Sequence, residues 1–223
     1  MKAINDCYEL NKRIKEMGLV ELTWGNASVL EDDFVYIKAS GVDVKQKFPT
    51  ECYCQVSLNT GENFSDLKPS VDLDTHLELY RGFSDTQAII HTHSKYATAF
   101  AQAGMPLPCV GTTHADYFKG SIPVVSFLDD LSDYEKDTGK SIVKHFHNNN
   151  ISHHDVNACL VQGHGVFVWA DSPEKCLESA FVLELLAEMA YYSLTLTPNI
   201  TFPNHILEKH YDRKHGESKY YGQ

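Results

Sequence analysis

Two histidines one residue apart, His91 and His93, are the sharpest chemical feature of the sequence. They close the apolar stretch 88–93, which is typical of a buried β-strand. Alternate residues of a strand point to the same side, so both imidazoles can face one ion. Imidazole is a common ligand for divalent transition metals, but two ligands are too few to hold one. The pair therefore predicts a metal site that is completed by a side chain from elsewhere in the chain.

The third ligand that we expect is His164, which stands between Gly163 and Gly165 in a predicted turn. Glycine lets the backbone approach a site closely. A His-x-His pair alone is more often structural than metal-binding, and the third histidine is what favours a metal. The cysteines are poorer candidates, because a single residue separates Cys52 from Cys54 whereas zinc-binding thiolates are usually roughly two to four residues apart.

Small polar residues in three further segments are suited to binding an anion. Lys38 supplies a positive charge, and Ser40 and Gly41 could form a nest of backbone N–H groups. Ser70 precedes a predicted helix, whose dipole favours phosphate at that end. An ordinary glycine turn explains the segment around Gly41 equally well, but three such segments in one acidic chain favour a phosphorylated small molecule as the ligand. The segments are residues 23–28, 38–41 and 68–70.

Composition excludes several classes of partner. The 223 residues include 19 Lys and Arg against 30 Asp and Glu, and the net charge of −11 repels a nucleic-acid backbone. No apolar run reaches the roughly 18 residues of a membrane span, and the N-terminus does not resemble a secretory signal. We therefore expect a cytoplasmic protein without a membrane partner, whose six cysteines are reduced thiols. The apolar fraction of 43% suits one globular domain over residues 1–223.

Hydrophobic periodicity predicts a sheet interleaved with helices. Ser94 and Ser172 are the predicted N-caps of the third and fourth helices. The last two strands are expected to form a hairpin that presents His164. Helices are predicted over 3–17, 72–80, 95–104 and 173–194, and strands over 27–30, 34–37, 52–57, 88–93, 122–127, 158–161 and 166–170.

Seven short motifs stand in order along the chain: Thr23-Trp24-Gly25-Asn26, Lys38-Ala39-Ser40-Gly41, Ser70-Val71-Asp72, His91-Thr92-His93-Ser94, Gly111-Thr112-Thr113-His114-Ala115-Asp116-Tyr117, His164-Gly165 and Tyr220-Tyr221-Gly222-Gln223. Together they resemble the L-ribulose-5-phosphate 4-epimerases of the class II aldolase family over essentially the whole chain. The resemblance implies a three-layer α/β/α domain with a central mixed, largely antiparallel sheet. It also implies a C4 homotetramer with active sites between neighbouring subunits. Each site would hold one divalent metal, usually zinc, with manganese or cobalt as alternatives.

The resemblance assigns roles position by position. The residues implied at the metal are His91, His93 and His164, with the acidic Asp72 beside them. The residues implied to bind substrate are Asn26, Lys38, Ser40, Gly41, Ser70, Thr112, His210 and Arg213. The implied acid/base pair is Asp116 and Tyr221, and Glu135 matches a further position less closely.

The implied reaction interconverts L-ribulose 5-phosphate and D-xylulose 5-phosphate. Because the hydrogen on C4 is not acidic, inversion requires cleavage and re-formation of the C3–C4 bond, assisted by the metal as a Lewis acid. The alternative is a class II aldolase that cleaves a ketose 1-phosphate such as L-fuculose 1-phosphate. Those aldolases usually carry Glu where this chain has Asp72, which favours the epimerase. An inactive sugar-phosphate or metal-binding module is disfavoured, because all three histidines are present.

Three positions depart from the family pattern. Ala39, Val71 and Asp74 stand where its members typically carry Pro, Ser and Pro. Val71 removes a hydroxyl that would bond phosphate, and a hydrogen bond to a charged group is worth roughly 1.5–3 kcal/mol. We therefore expect weaker substrate binding rather than a different reaction.

Overall fold

The computed structural model describes residues 2–126, 132–217 and 219–220. Two short 3-10 turns, Val44–Gln46 and Pro49–Glu51, connect the second and third strands. In chain order the other elements are α1 (Lys2–Glu16), β1 (Asn26–Glu31), β2 (Phe34–Lys38), β3 (Tyr53–Ser57), α2 (Leu73–Gly82), β4 (Ala88–Thr92), α3 (Lys95–Ala103), α4 (Thr112–Ala115), β5 (Val124–Val125), α5 (Tyr134–Asn148), β6 (Ala158–Val161), β7 (Val166–Ala170), α6 (Pro173–Leu196) and α7 (Asn204–His215).

The strands of the described chain form one mixed sheet in the order β3-β2-β1-β4-β7-β6-β5. Neighbouring strands are antiparallel except β5 and β6, which are parallel. β4 lies in the middle, where all five of its residues are buried, and this explains its continuous apolar run. In the register of the sheet, His91 is paired with Asn26 on one side and with Phe167 on the other.

Helices cover both faces of the sheet. α1, α3 and α6 pack on one face, and α2 and α5 pack together on the other. The residues of α1 that face the sheet follow the predicted spacing of three and four. α2 and α5 approach closely at Gly139, where a Cβ would lie 2.6 Å from the Cβ of Glu78. The three-layer α/β/α fold with a largely antiparallel sheet is thus confirmed.

The helix caps follow the prediction at one position and depart from it at another. Ser172 caps α6, because its side chain accepts the N–H of Lys175. The Ser94 side chain does not cap α3. Instead the Glu184 carboxylate of α6 accepts the N–H groups of Tyr96 and Ala97, at 2.8 and 3.0 Å. A long side chain from a packed helix has replaced the local hydroxyl.

Other elements also differ from the sequence analysis. The predicted strand 122–127 is reduced to the two residues of β5, with Ile122 in an isolated bridge to Leu107 and residue 127 outside the described part. Helices α4, α5 and α7 were not predicted. The hairpin of β6 and β7 is confirmed, and all six cysteines are free thiols. A helix apolar enough to span a bilayer, which needs about 20 residues, is not found among the helices of the described chain.

Candidate active site

The three predicted metal ligands lie together, and we call them the histidine triad. His91 belongs to β4, His93 follows that strand, and His164 lies in the turn between β6 and β7. One ring nitrogen of each lies within 4.8 Å of the others. The Nε2 atoms of His91 and His93 are 3.0 Å apart. Because β4 pairs with β7, the register of the sheet brings His164, just before β7, against His91.

The orientation of the His91 ring is fixed by contacts with Val166 and Phe167 of β7. Its Nδ1 lies 2.9 Å from the carbonyl oxygen of Val166. That oxygen only accepts, so Nδ1 carries the proton and Nε2 presents its lone pair to the triad. Phe167 stacks on the ring with centroids 4.3 Å apart. Burial lowers the pKa of His91 to about 3, and it lowers the pKa of His93 and His164 as well. All three imidazoles are therefore neutral near pH 7, which is the form that binds metals.

Two glycines leave room for this arrangement. A Cβ on Gly165 would lie 2.6 Å from the carbonyl oxygen of Thr92 and 3.2 Å from Cε1 of His91. Gly25 has φ +71°, and a Cβ there would lie 2.7 Å from the carbonyl oxygen of His91. A larger residue at either position would displace the strand that carries the ligands. Three neutral imidazoles in such a cradle fit a divalent transition metal.

Asp72 lies beside the triad, immediately before α2. Its Oδ2 accepts a hydrogen bond from Nδ2 of Asn26 at 2.6 Å. Burial raises the pKa of Asp72, but the nearby rings of His91 and His76 and the Asn26 amide lower it, and the net pKa is below its ordinary value. In the described chain the close group of possible metal ligands consists of the three histidines. The structure therefore places an ionised carboxylate next to the triad, and its contact with a metal stays a prediction.

The predicted anion-binding segments are brought side by side. The backbone N–H of Ser40 donates to the carbonyl oxygen of Lys68, and that of Ser70 donates to Lys38, both at 2.9 Å. The Nζ of Lys38 lies 3.4 Å from the carbonyl oxygen of Thr23, which connects the first segment to the second. Sequence-distant residues thus converge as expected for one ligand site.

The details of these segments bear on how an anion would bind. Lys38 is buried, and this burial lowers the pKa of its ammonium group. Gly41 has φ +70° and open space around it. Val71 is 60% exposed whereas Ser70 is 7% exposed. The side chain of Val71, one of the three that depart from the family pattern, therefore faces outward.

A second set of predicted residues forms the Asp116 group, which comprises Thr112 and Asp116 at α4 and His210 and Arg213 on α7. Nη2 of Arg213 lies 3.0 and 2.9 Å from the two carboxylate oxygens of Asp116. Nδ1 of His210 lies 3.1 Å from one of them. Thr112 begins α4, and its carbonyl oxygen accepts the N–H of Asp116. These contacts of Asp116 with His210 and Arg213 join the short helix α4 to α7, and we call them the charged latch.

The other member of the predicted acid/base pair, Tyr221, lies outside the described residues, and its role stays a prediction. The preceding residue is close to the Asp116 group, because the N–H of Tyr220 donates to the carbonyl oxygen of Arg213 at 3.0 Å. A cavity of about 520 Å³ borders the same group and is lined in part by Tyr117, Lys214 and His215. This cavity is separate from the triad.

Comparison with known proteins places the fold and the site in a family. A model of the class II aldolase and adducin N-terminal domain matches residues 5–191. The chain belongs to this family. A Mycoplasma pneumoniae protein named "Probable L-ribulose-5-phosphate 4-epimerase UlaF" is 43% identical over 237 residues, covering 100% of this chain and 96% of the relative.

Solved structures of class II aldolases share the fold. An L-fuculose 1-phosphate aldolase superposes with a TM-score of 0.79 at 20% identity, covering 95% of each chain. The corresponding enzyme of Thermus thermophilus gives a TM-score of 0.70 at 24% identity, covering 88% of this chain and 98% of that one. Because the identities are below 25%, these structures support the fold of this class II aldolase family member and not its activity.

Two residues near the triad escaped the sequence analysis. His76 is fully buried in α2, four residues after Asp72, and this spacing on a predicted helix was the signal that could have revealed it. The ring of Tyr134 lies 5.9 Å from that of His164. Tyr134 begins α5, which was not predicted, so the sequence offered no signal for it. The weaker match Glu135 is anchored there, because its carbonyl oxygen accepts from Oγ1 of Thr75 at 2.6 Å.

Proposed function

We propose that the protein is a metal-dependent epimerase that interconverts L-ribulose 5-phosphate and D-xylulose 5-phosphate. The observation that carries the proposal is the histidine triad, with Asn26 of the first predicted anion-binding segment paired with His91 across the sheet. The full-length relative named as this epimerase supports the choice of substrate. Asp72, in place of the longer Glu usual in the aldolases, supports epimerisation over net cleavage.

The metal site comprises His91, His93 and His164, with Asp72 adjacent. A divalent cation bound there would supply a Lewis acid that stabilises negative charge on the substrate oxygens. Zinc is the metal that we propose, and manganese or cobalt would suit the same imidazoles. The neutral state of the three rings near pH 7 supports this assignment.

The phosphate end of the substrate is assigned to the converging segments. Asn26 would offer its amide, Ser40 and Ser70 their hydroxyls and Gly41 its backbone N–H, because the N–H groups of Ser40 and Ser70 already donate to Lys68 and Lys38. The ammonium of Lys38 adds positive charge. Their adjacency across the Lys38–Ser70 and Ser40–Lys68 hydrogen bonds supports a shared ligand. Binding at this end would leave the C4 hydroxyl to be placed by the rest of the site.

Asp116 and Tyr221 are proposed to move the proton of the C4 hydroxyl. As that proton leaves, a C4 carbonyl forms, the C3–C4 bond breaks and its electron pair moves toward the C2 carbonyl. The aldehyde fragment then presents its other face, the C3–C4 bond re-forms and the C4 oxygen is protonated. One residue would remove the proton and the other would return it from the opposite side. Thr112, His210 and Arg213 would orient this half of the site.

We further propose a C4 homotetramer in which neighbouring subunits complete each active site. α6 supports this assembly, because a stripe of large apolar side chains on it is exposed at helical spacing. The stripe consists of Phe181, Leu185, Met189, Tyr192 and Leu196. A cytoplasmic location is proposed on the basis of the six free thiols.

A coupled assay tests the reaction. Purified, zinc-loaded protein is given L-ribulose 5-phosphate, and formation of D-xylulose 5-phosphate is followed with and without a chelator. Turnover that stops on chelation, without release of dihydroxyacetone, is the expected result. Released two-carbon and three-carbon fragments would instead identify an aldolase. If neither D-xylulose 5-phosphate nor these fragments formed, the choice of substrate would be overturned.

Asp116→Asn tests the acid/base assignment. Its epimerase activity should fall by about 100-fold or more, as expected when a general acid or base is lost. Its zinc content should be unchanged, because Asp116 is bonded to α7 and not to the triad. The matched control is Asp171→Asn, since Asp171 lies in a surface ion pair with Lys175. Loss of zinc in Asp116→Asn would contradict the assignment.

A further inference from the structure

A buried chain of polar side chains lies behind the histidine triad. The Oγ of Ser28 in β1 is 2.7 Å from Nδ1 of His76 and 2.8 Å from the hydroxyl of Tyr80, both in α2. Ser28 and His76 are completely buried, and Tyr80 is 6% exposed. Buried polar groups are costly unless they are bonded, so this chain requires a specific arrangement of its protons.

Nε2 of His76 is the exception in this chain. It is buried, and no residue in the described part of the protein forms a hydrogen bond with it. Burial lowers the pKa of His76 to about 4, so the ring is neutral and only one of its nitrogens carries a proton. A buried polar atom without a partner needs a reason for its position.

The surroundings indicate which nitrogen is protonated. The charged group that acts on the His76 ring is Asp72, one helical turn earlier. A nearby carboxylate stabilises an N–H and not a lone pair. This favours the proton on Nε2, and in that tautomer Nδ1 would accept from Ser28 and Ser28 would accept from Tyr80.

The same elements connect His76 to the triad in two ways. Asp72, immediately before α2, and His76 of α2 contact Asn26 and Ser28, which are alternate residues on one face of β1. Two polar contacts therefore join this segment to the strand. The His76 ring also packs edge-on against Phe167, with centroids 5.9 Å apart. Phe167 in turn stacks on His91.

We propose that His76 is a positioning residue of the metal site. With Ser28 holding Nδ1, the Nε2 side of the ring acts on the Asp72 carboxylate through charge and not through a direct hydrogen bond, and the ring supports His91 through Phe167. The inference rests on the metal site of the proposed function. It does not depend on the sugar that is converted.

Two substitutions of His76 separate this role from simple packing. The amide nitrogen of Gln can take the place of Nε2, whereas the amide of Asn lies near the position of Nδ1. We expect His76→Asn to bind Zn²⁺ about 10- to 100-fold more weakly than the wild type, which is typical when a partner of a metal ligand is lost. His76→Gln should recover most of the affinity. Competition with a chromophoric chelator measures the affinities, and the visible spectrum of the Co²⁺-loaded protein reports the ligand geometry.

A second pair of variants covers the case in which His76→Asn does not fold. Ser28→Ala removes only the hydroxyl that fixes the tautomer, and should weaken Zn²⁺ binding and shift the Co²⁺ spectrum. Its control is Ser141→Ala, a buried serine of α5 whose hydroxyl donates to the carbonyl oxygen of Asp137. This control should keep the wild-type affinity and spectrum, and urea unfolding of both variants would measure the loss of stability.

The outcomes are distinct. Equal affinities and spectra for the Gln and Asn variants, or for Ser28→Ala and Ser141→Ala, would overturn the positioning role while leaving the metal site intact. A wild-type protein that binds neither Zn²⁺ nor Co²⁺ would overturn the metal site of the proposed function, and this inference with it.

Discussion

The histidine triad and the Asp116 group are built in opposite ways. The triad stands on β4 and on the β6–β7 turn, inside a sheet whose register fixes its ligands. The Asp116 group joins a four-residue helix to the last helix of the described chain through side-chain charges. Backbone geometry defines the first group, whereas the second depends on an ion pair. We infer that the proposed metal half of the site is rigid and that the proposed acid/base half can adjust.

Removing a ligand should have the largest effect on the rigid half. His93 is the exposed member of the triad, so His93→Ala removes a metal ligand with little loss of packing. Zinc content should fall to near zero and epimerase activity by more than about 100-fold, because loss of an indirect partner of a ligand already costs 10- to 100-fold. Elemental analysis and the coupled assay measure both quantities. Exposed His154 provides the control, and wild-type zinc in His93→Ala would exclude the triad as the metal site.

Crowding the triad should have a smaller effect. Gly165→Ala places a Cβ against Thr92 and His91. Overpacking typically costs about 1–3 kcal/mol, so we expect zinc affinity or the free energy of unfolding to fall by that amount. Gly111→Ala is the control, since a Cβ there has open space. Similar zinc affinities and unfolding midpoints for the two variants would show that the space between Gly165 and the His91 strand can accommodate a Cβ.

Breaking the charged latch should affect only the adjustable half. Arg213→Met removes the bonds to Asp116, and charge-assisted hydrogen bonds are worth roughly 1.5–3 kcal/mol each before solvent screening reduces them. Epimerase activity should fall by about 10-fold while zinc affinity stays that of the wild type. A loss of zinc affinity in Arg213→Met would show that the two halves are coupled within one chain.

A histidine in each region should make the metal-free protein sensitive to acid. Burial lowers the pKa of His76, near the triad, and of His114, in α4, to about 4. The unfolded chain then binds more protons than the folded one below about pH 6.5, so stability is lost as the pH falls from about 6.5 to 4. The expected slope is about 1.4 kcal/mol per pH unit for each histidine.

Urea unfolding in the presence of a chelator measures this slope. His114→Gln keeps an N–H donor for the carbonyl oxygen of Gly120, the partner of the His114 ring, but removes the titrating group. Its slope should be smaller than that of the wild type. Identical slopes would mean that His114 is protonated in the folded state.

Local patterns in the sequence were sufficient for part of the fold and the site. The apolar run of β4, the turn around His164 and the N-cap Ser172 depend on neighbouring residues, and each is confirmed. The Glu184 cap of α3 and the contact of Tyr134 with His164 depend on helices that meet only after folding. The same reason explains why the ion pair between Asp116 and Arg213 was not predicted, although the family resemblance named each residue separately.

The position of β4 in the centre of the sheet bears on how quickly the site can form. Its partners β1 and β7 come from distant parts of the sequence, so the triad closes only when loops of many residues have been ordered. The metal ligands would then assemble late on the folding pathway. Refolding rates should consequently be the same with and without zinc, whereas unfolding should be slower when zinc is bound.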